Sequence, residues 1–111
     1  MKNRKVFMIH VLLFILVVAI AGSTAYSEPD PAKNTIIIQD ASFQPDEITI
    51  QKGETIIWIN KDSAGHTVRG SFFYSGLLRE GQSFQQTFNE AGTFDYYCTL
   101  HPSMNGRVIV Q

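Results

Sequence analysis

Residues 93–110 read TFDYYCTLHPSMNGRVIV, and they govern how the rest of the chain is interpreted. Thr93 to Cys98 is dense in aromatic residues and Arg107 to Val110 in β-branched ones, the composition of two strands. Between them Cys98, His101 and Met104 fall at i, i+3 and i+6. Pro102 disfavours a helix here, because it lacks an N–H and pushes the residue before it toward extended geometry. Gly106 then releases the chain into the last strand. The stretch is therefore a strand, a loop carrying a thiol, an imidazole and a thioether, and a second strand.

Working outward, no sustained 3.6-residue apolar stripe follows residue 33; short β-branched and aromatic runs alternate with Gly, Asn, Asp and Pro. The expected strands are Thr35 to Gln39, Glu47 to Gln51, Thr55 to Asn60, Thr67 to Ser71, Ser83 to Phe88, Thr93 to Cys98 and Arg107 to Val110. Ile48 and Ile50, then Ile56 and Trp58, are expected to alternate with polar or less buried neighbours, as a half-buried sheet face requires. Such a set makes an all-β sandwich. Gly53, Gly81 and Gly92 stand before strands, where turns use positive φ. Phe72, Phe73 and Tyr74 are expected to plug one end of the core, while Lys61, Asp62, Glu80 and Glu90 read as solvated charges. Tyr97, of opposite parity to Tyr96, is expected on the outer face.

The front of the chain is different. Lys2, Arg4 and Lys5 precede an almost wholly apolar run, Val6 to Ala21, and small residues at Ser23 and Ala25 follow. This is the pattern of a secretory signal, so residues 1–25 are expected to direct export to a periplasmic or other extracytoplasmic space, with cleavage after Ala25. An uncleaved membrane anchor is the alternative, since the apolar run approaches the length of a spanning helix. Residues 26–33 form a polar leader holding Pro29 and Pro31, and residues 34–111 the single domain. Beyond Lys5 six basic residues face ten acidic ones, which gives no electrostatic footprint for nucleic acid. One cysteine excludes an internal disulfide and any four-cysteine zinc or iron–sulfur site.

Outside the export segment the chain has one Cys and two His, and all three can converge. If Cys98 ends one strand and Arg107 begins its neighbour, the loop between them can bring Cys98, His101 and Met104 together, with His66 arriving from another strand end. Two imidazoles, one thiolate and a weak axial thioether form the donor pattern of blue copper electron-transfer centres. Zinc accepts His and Cys, but Met serves it poorly, and calcium or magnesium would need oxygen donors. Copper suits the set best. Ligation also removes the liability of a free thiol in an oxidising compartment.

The sequence resembles the cupredoxins, the plastocyanin and azurin class of small blue copper proteins. The matching marks are Phe43-x-Pro45, Ile48-x-Ile50, Gly53, Trp58-x-Asn60, His66-x-Val68, Ser75-Gly76-Leu77, Gly92-Thr93-Phe94, Tyr96-Tyr97-Cys98 and His101-Pro102-x-Met104. The short Cys-x-x-His-x-x-Met spacing is similar to that of amicyanins. The resemblance implies a Greek-key β-sandwich of seven to eight strands, with one copper ion near one end held by His66, Cys98, His101 and Met104. It implies that Asn60 and Thr67 tie the ligand loops together and place amide donors near the sulfur, and that His101 presents its ring edge as the electron port. Two positions depart from the amicyanin pattern: Gly65 precedes the first His where many relatives have Pro, and Ser103 stands where an aromatic residue is common.

The function expected is one-electron transfer between extracytoplasmic proteins through transient contacts, by a monomer. Copper delivery or storage by the same ligands is the alternative. Enzyme activity is not expected, because multicopper oxidases and copper nitrite reductases need further His clusters and binuclear copper centres a second Cys.

Overall fold

The computed structural model describes residues 33–111. The expected export segment 1–25 and residues 26–32 of the leader lie outside the described residues. Seven strands form: β1 (Thr35–Gln39), β2 (Ser42–Gln44), β3 (Glu47–Ile50), β4 (Thr55–Asn60), β5 (Ser83–Thr87), β6 (Gly92–Tyr97) and β7 (Asn105–Val110). Among the described residues there is no helix. One sheet has the order β2-β1-β4-β5 and the other β3-β7-β6. β1 runs parallel to β4 and β3 to β7, so the chain must cross between the sheets more than once, as a Greek-key sandwich does.

Period-two alternation decides what lies between the sheets. Ile36 and Ile38 of β1, Ile56 and Trp58 of β4, and Val108 and Val110 of β7 are all buried, with Ile36 in register with Trp58. Trp58 is the hub, its ring centroid 5.9, 5.7 and 5.4 Å from those of Phe73, Phe84 and Tyr96. Truncating a side chain so enclosed costs about 3–5 kcal/mol. Tyr96 points inward and Tyr97 outward, as their parity requires. Gly106, expected to release the chain into the last strand, instead lies within β7 opposite Tyr96 and has a packing role: a Cβ there would overlap the Tyr96 ring and hydroxyl.

Two elements differ from expectation. Thr67 to Ser71 is not a strand; only isolated bridges form, from His66 to Leu78 and from Arg69 to Tyr74 and Tyr97. The chain doubles back, with the Gly70 amide bonded to the Phe73 carbonyl and the Val68 amide taken by Ser75 Oγ, so no ladder can run on. The aromatic trio is split by this turn: Phe73 is buried, Phe72 and Tyr74 exposed. The second difference is β2, too short for periodicity to register, which the Asp40-Ala41 turn folds back onto β1. The three glycines do take positive φ, at 87° for Gly53, 83° for Gly81 and 148° for Gly92, the last opening β6 instead of preceding it.

This topology puts the ends of β4 and β6 and the start of β7 at one pole. The backbones of Arg69 and Tyr97 exchange hydrogen bonds of 2.8 and 3.0 Å there, joining the connection after β4 to the end of β6.

Candidate metal centre

The first histidine is fixed from the end of β4. Asn60 is fully buried, and its Nδ2 donates to the carbonyls of Ala64 and Leu78, both at 2.9 Å, while its Oδ1 accepts the Asp62 amide at 2.9 Å. His66 exchanges backbone hydrogen bonds with Leu78 at 3.0 and 2.8 Å, so its Cα is held on both sides. Its ring is 1% exposed, with Nε2 2.8 Å from Asp62 Oδ2. An ionised carboxylate only accepts, so this nitrogen carries the proton and Nδ1 presents a lone pair toward Cys98. Asp62 also accepts the amides of Asp40 and Ala41. The Ala41 contact does most to hold its carboxyl below the usual range, against the opposing effect of burial.

The second group comes from one loop. The Cys98 amide donates to the Met104 carbonyl at 3.1 Å and the Met104 amide to the His101 carbonyl at 2.9 Å, closing the loop on itself. Cys98 and Met104 are buried, while His101 is exposed. Thr67 staples this loop to the first: its Oγ1 accepts the Thr99 amide at 2.7 Å and pairs with Thr99 Oγ1 at 2.8 Å. Its own amide points at Cys98 Sγ from 3.4 Å. Burial pushes the Cys98 thiol up, but the Thr67 and Leu100 amides oppose it and help to hold the group below its ordinary value, toward the metal-binding thiolate.

Donor atoms of His66, Cys98 and His101 all lie within 4.8 Å of one another. Cys98 Sγ is 3.8 Å from Nδ1 of His66 and 3.8 Å from Nδ1 of His101. With metal–sulfur and metal–nitrogen bonds of about 2.3 and 2.05 Å, donors 120° apart are about 3.8 Å from each other, and tetrahedral donors about 3.6 Å. The two sulfur–nitrogen separations are those of donors that can share one metal ion. A fourth residue, Met104, is delivered by the same loop, giving the soft and borderline donors that copper prefers.

Against known proteins, the family of the Cupredoxin-like domain matches residues 10–110. The chain belongs to the cupredoxin family. An amicyanin of Paracoccus denitrificans is 32% identical over 104 residues, 83% of this chain and 77% of that protein. An amicyanin of Paracoccus versutus is 37% identical over 89 residues, 73% of this chain and 67% of its own. A solved Cu(I) form of an amicyanin variant superposes with a TM-score of 0.69 at 31% identity, covering 76% of this chain and 87% of that one. This cupredoxin's cofactor is copper, and His66, Cys98, His101 and Met104 fit the blue copper donor set.

Three expectations at this pole need correction or extension. Thr67 does join the two ligand loops, but Asn60 does not; its three hydrogen bonds stay within the β4 side of the site. Asp62 is no solvated charge, since its side chain is 18% exposed and accepts three N–H groups. Its place four residues before His66 was the available signal. Ser75 was read only as a family mark, yet its hydroxyl takes the Val68 amide and so shapes the turn after the first histidine. At Gly65 a Cβ would come within 2.6 Å of Leu77 Cδ1, so glycine lets that exposed leucine lie against the first ligand loop.

Proposed function

We propose that this cupredoxin carries single electrons between extracytoplasmic redox proteins, and that one copper ion would be held by His66, Cys98 and His101, with Met104 as the weaker thioether donor. The observation that carries this reading is the pair of 3.8 Å separations between Cys98 Sγ and the two imidazole nitrogens, which let the three donors share one metal ion. The bound copper supplies the one-electron couple. The chain supplies a nearly fixed set of donors: His66 is held at its backbone and at Nε2, and Cys98 at its amide and by the Thr67 amide on its sulfur. Ligands that barely move between Cu(II) and Cu(I) keep the reorganisation cost of each transfer small.

His101 is the exit. It is exposed between exposed Leu100 and Pro102, so a partner can approach its ring edge through a small, mostly apolar contact. The protein works as a monomer in the extracytoplasmic space, residues 1–25 serving as the export signal. No histidine remains outside that segment for a second, catalytic copper.

The test is to add Cu(II) to residues 26–111 and record visible and EPR spectra. An intense thiolate-to-copper band should appear and be lost in Cys98→Ser; a folded protein that binds copper without that band would overturn the assignment. Reversible voltammetry with rapid self-exchange is expected of a carrier, whereas ready transfer of the metal to an acceptor, with sluggish electron exchange, would replace it by a delivery role.

A further inference from the structure

The turn between β1 and β2 is unusual. Asp40 and Ala41 have φ of 53° and 50°, in a two-residue connection whose flanks, Gln39 and Ser42, are paired. Consecutive positive φ values define the hairpin turn that favours Asn-Gly or Gly-Gly, and an alanine there is strained by about 1–2 kcal/mol. Such a conformation persists where its surroundings over-determine it. Here Ser42 Oγ and Gln44 Nε2 donate to the Gln39 carbonyl at the base of the turn, and a single carboxylate holds both amides at its tip. Asp62 Oδ1 accepts the Asp40 amide at 2.9 Å and Oδ2 the Ala41 amide at 3.0 Å. The same Oδ2 takes His66 Nε2 at 2.8 Å. Asp62 cannot drift, because its own amide is bound to Asn60 Oδ1 at 2.9 Å and its neighbour Lys61 donates to the Ile38 carbonyl of β1 at 2.8 Å.

We propose that Asp62 is a positioning residue that clamps the His66 ring to the β1–β2 turn and biases the copper site toward Cu(II). This rests on the copper reading above. Two consequences follow from the geometry. An acceptor-only carboxylate on Nε2 fixes one tautomer and one ring orientation, leaving Nδ1 as the donor to the metal. A carboxylate on the far nitrogen also raises the basicity of the ligand and adds negative charge beside it, which stabilises the more highly charged oxidised ion more than the reduced one. Sequestering the carboxylate in two turn amides keeps it from swinging away, so the strained turn acts as a fixed backstop for a copper ligand.

The experiment compares Asp62→Ala and Asp62→Asn with Asp95→Asn in protein produced from the full chain. Asp95 bonds Arg107 on the surface, so its variant removes the same charge without touching the clamp. In Asp62→Ala, Cu(II) affinity should fall by about 10–100-fold. Cu(I) affinity should fall less, so the potential rises by about 59 mV for each tenfold difference. Asp62→Asn, which keeps an oxygen acceptor, should lie between that variant and the parent, and it decides the matter if the alanine variant does not fold. Asp95→Asn should stay at the parent potential. Nitrogen NMR of the copper-free protein supplies the independent readout: His66 should be a single Nε2–H tautomer in the parent and a mixture in Asp62→Ala, with faster exchange of the Asp40 and Ala41 amides. Parent potential and affinity in both Asp62 variants, or a proton on Nδ1 of His66 in the copper-free parent, would overturn the proposal. Absence of the thiolate-to-copper band in the parent would overturn the copper reading instead, while the tautomer measurement would still judge the clamp.

Discussion

Replacing Thr67 by Val tests whether one hydroxyl holds the two ligand loops together. Val is nearly isosteric, so the volume in this buried position is kept while the Oγ1 acceptor is lost. The Thr99 amide then loses its 2.7 Å partner and the 2.8 Å hydroxyl pair disappears. A buried donor left without an acceptor costs about 1–3 kcal/mol. Thr99 is only half-buried and can recruit water, which places the expected loss at about 1–2 kcal/mol. For a domain of this size that lowers Tm by about 4–16 °C. The measurement is urea unfolding of the copper-free protein, where an unchanged m-value shows that the shift in midpoint is a shift in stability. Thr67→Ser keeps the hydroxyl and should recover most of the loss, short of about 0.8 kcal/mol for the missing methyl. The blue band should survive in both variants, because the Thr67 amide still faces Cys98 Sγ. A Thr67→Val protein within 0.5 kcal/mol of the parent would refute the idea that this hydroxyl staples the loops.

Copper held at about one hundred times its Kd should stabilise the domain by about 2.7 kcal/mol, read as the difference between unfolding curves with and without a chelator, and Cys98→Ser should abolish that difference. Gly106→Ala forces a methyl into the Tyr96 ring and should cost about 1–3 kcal/mol in thermal or urea unfolding; a neutral result would mean that Tyr96 has room the packing denies it. Glu54 provides an acid-side test. Its hydrogen bonds, foremost that from Lys33 and then those from the Gln51 amide and Asn34, lower its carboxyl from 4.5 to about 2. A lowered folded-state value means the contribution is complete above pH 4.5 and is lost as the pH falls toward 2. Glu54→Gln should therefore flatten the pH dependence of stability across that window, and an unchanged slope would count against these bonds persisting in solution.

Local patterns explain what could be read before the fold was seen. The β4 run TIIWIN is β-branched and aromatic enough to mark a strand, but with Ile at 56, 57 and 59 it does not by itself say which face turns inward; the structure buries Ile56, Trp58 and Asn60 and leaves Thr55, Ile57 and Ile59 half-buried. The Cys98, His101 and Met104 spacing is local too, so a loop bringing them together was visible in the chain itself. Long-range partners were harder to see. The β-branched pair Thr67-Val68 suggests the start of a strand, but Ser75 captures the Val68 amide that a ladder would have used. Asp62 looks like an ordinary surface charge beside Lys61; its role depends on two amides in the β1–β2 turn, twenty-two and twenty-one residues away. Asn60 is hidden for the same reason, since its carbonyl partner at Leu78 lies beyond the turn that stands in place of the expected strand.

The two histidines divide the work of an electron carrier, and the fold explains why each has its part. His66 follows a central strand, β4, and is walled in by Leu78, Asn60 and Asp62, so its ring is 1% exposed and tied at the nitrogen that faces away from the sulfur. His101 sits mid-loop between the ends of β6 and β7, where only the Met104 amide on its carbonyl restrains the backbone, and its ring reaches solvent. Rigidity therefore lies on the His66 and Cys98 side, and access on the His101 side. Potential should accordingly respond most to changes around Asp62 and Thr67, and partner choice to Leu100, Pro102 and Ser103, whose side chains can change without disturbing the hydrogen bonds that fix the buried ligands. A Leu100 substitution that shifted the potential as much as Asp62→Ala would break that separation, because it would mean that the exposed rim, and not the buried clamp, sets the ligand field.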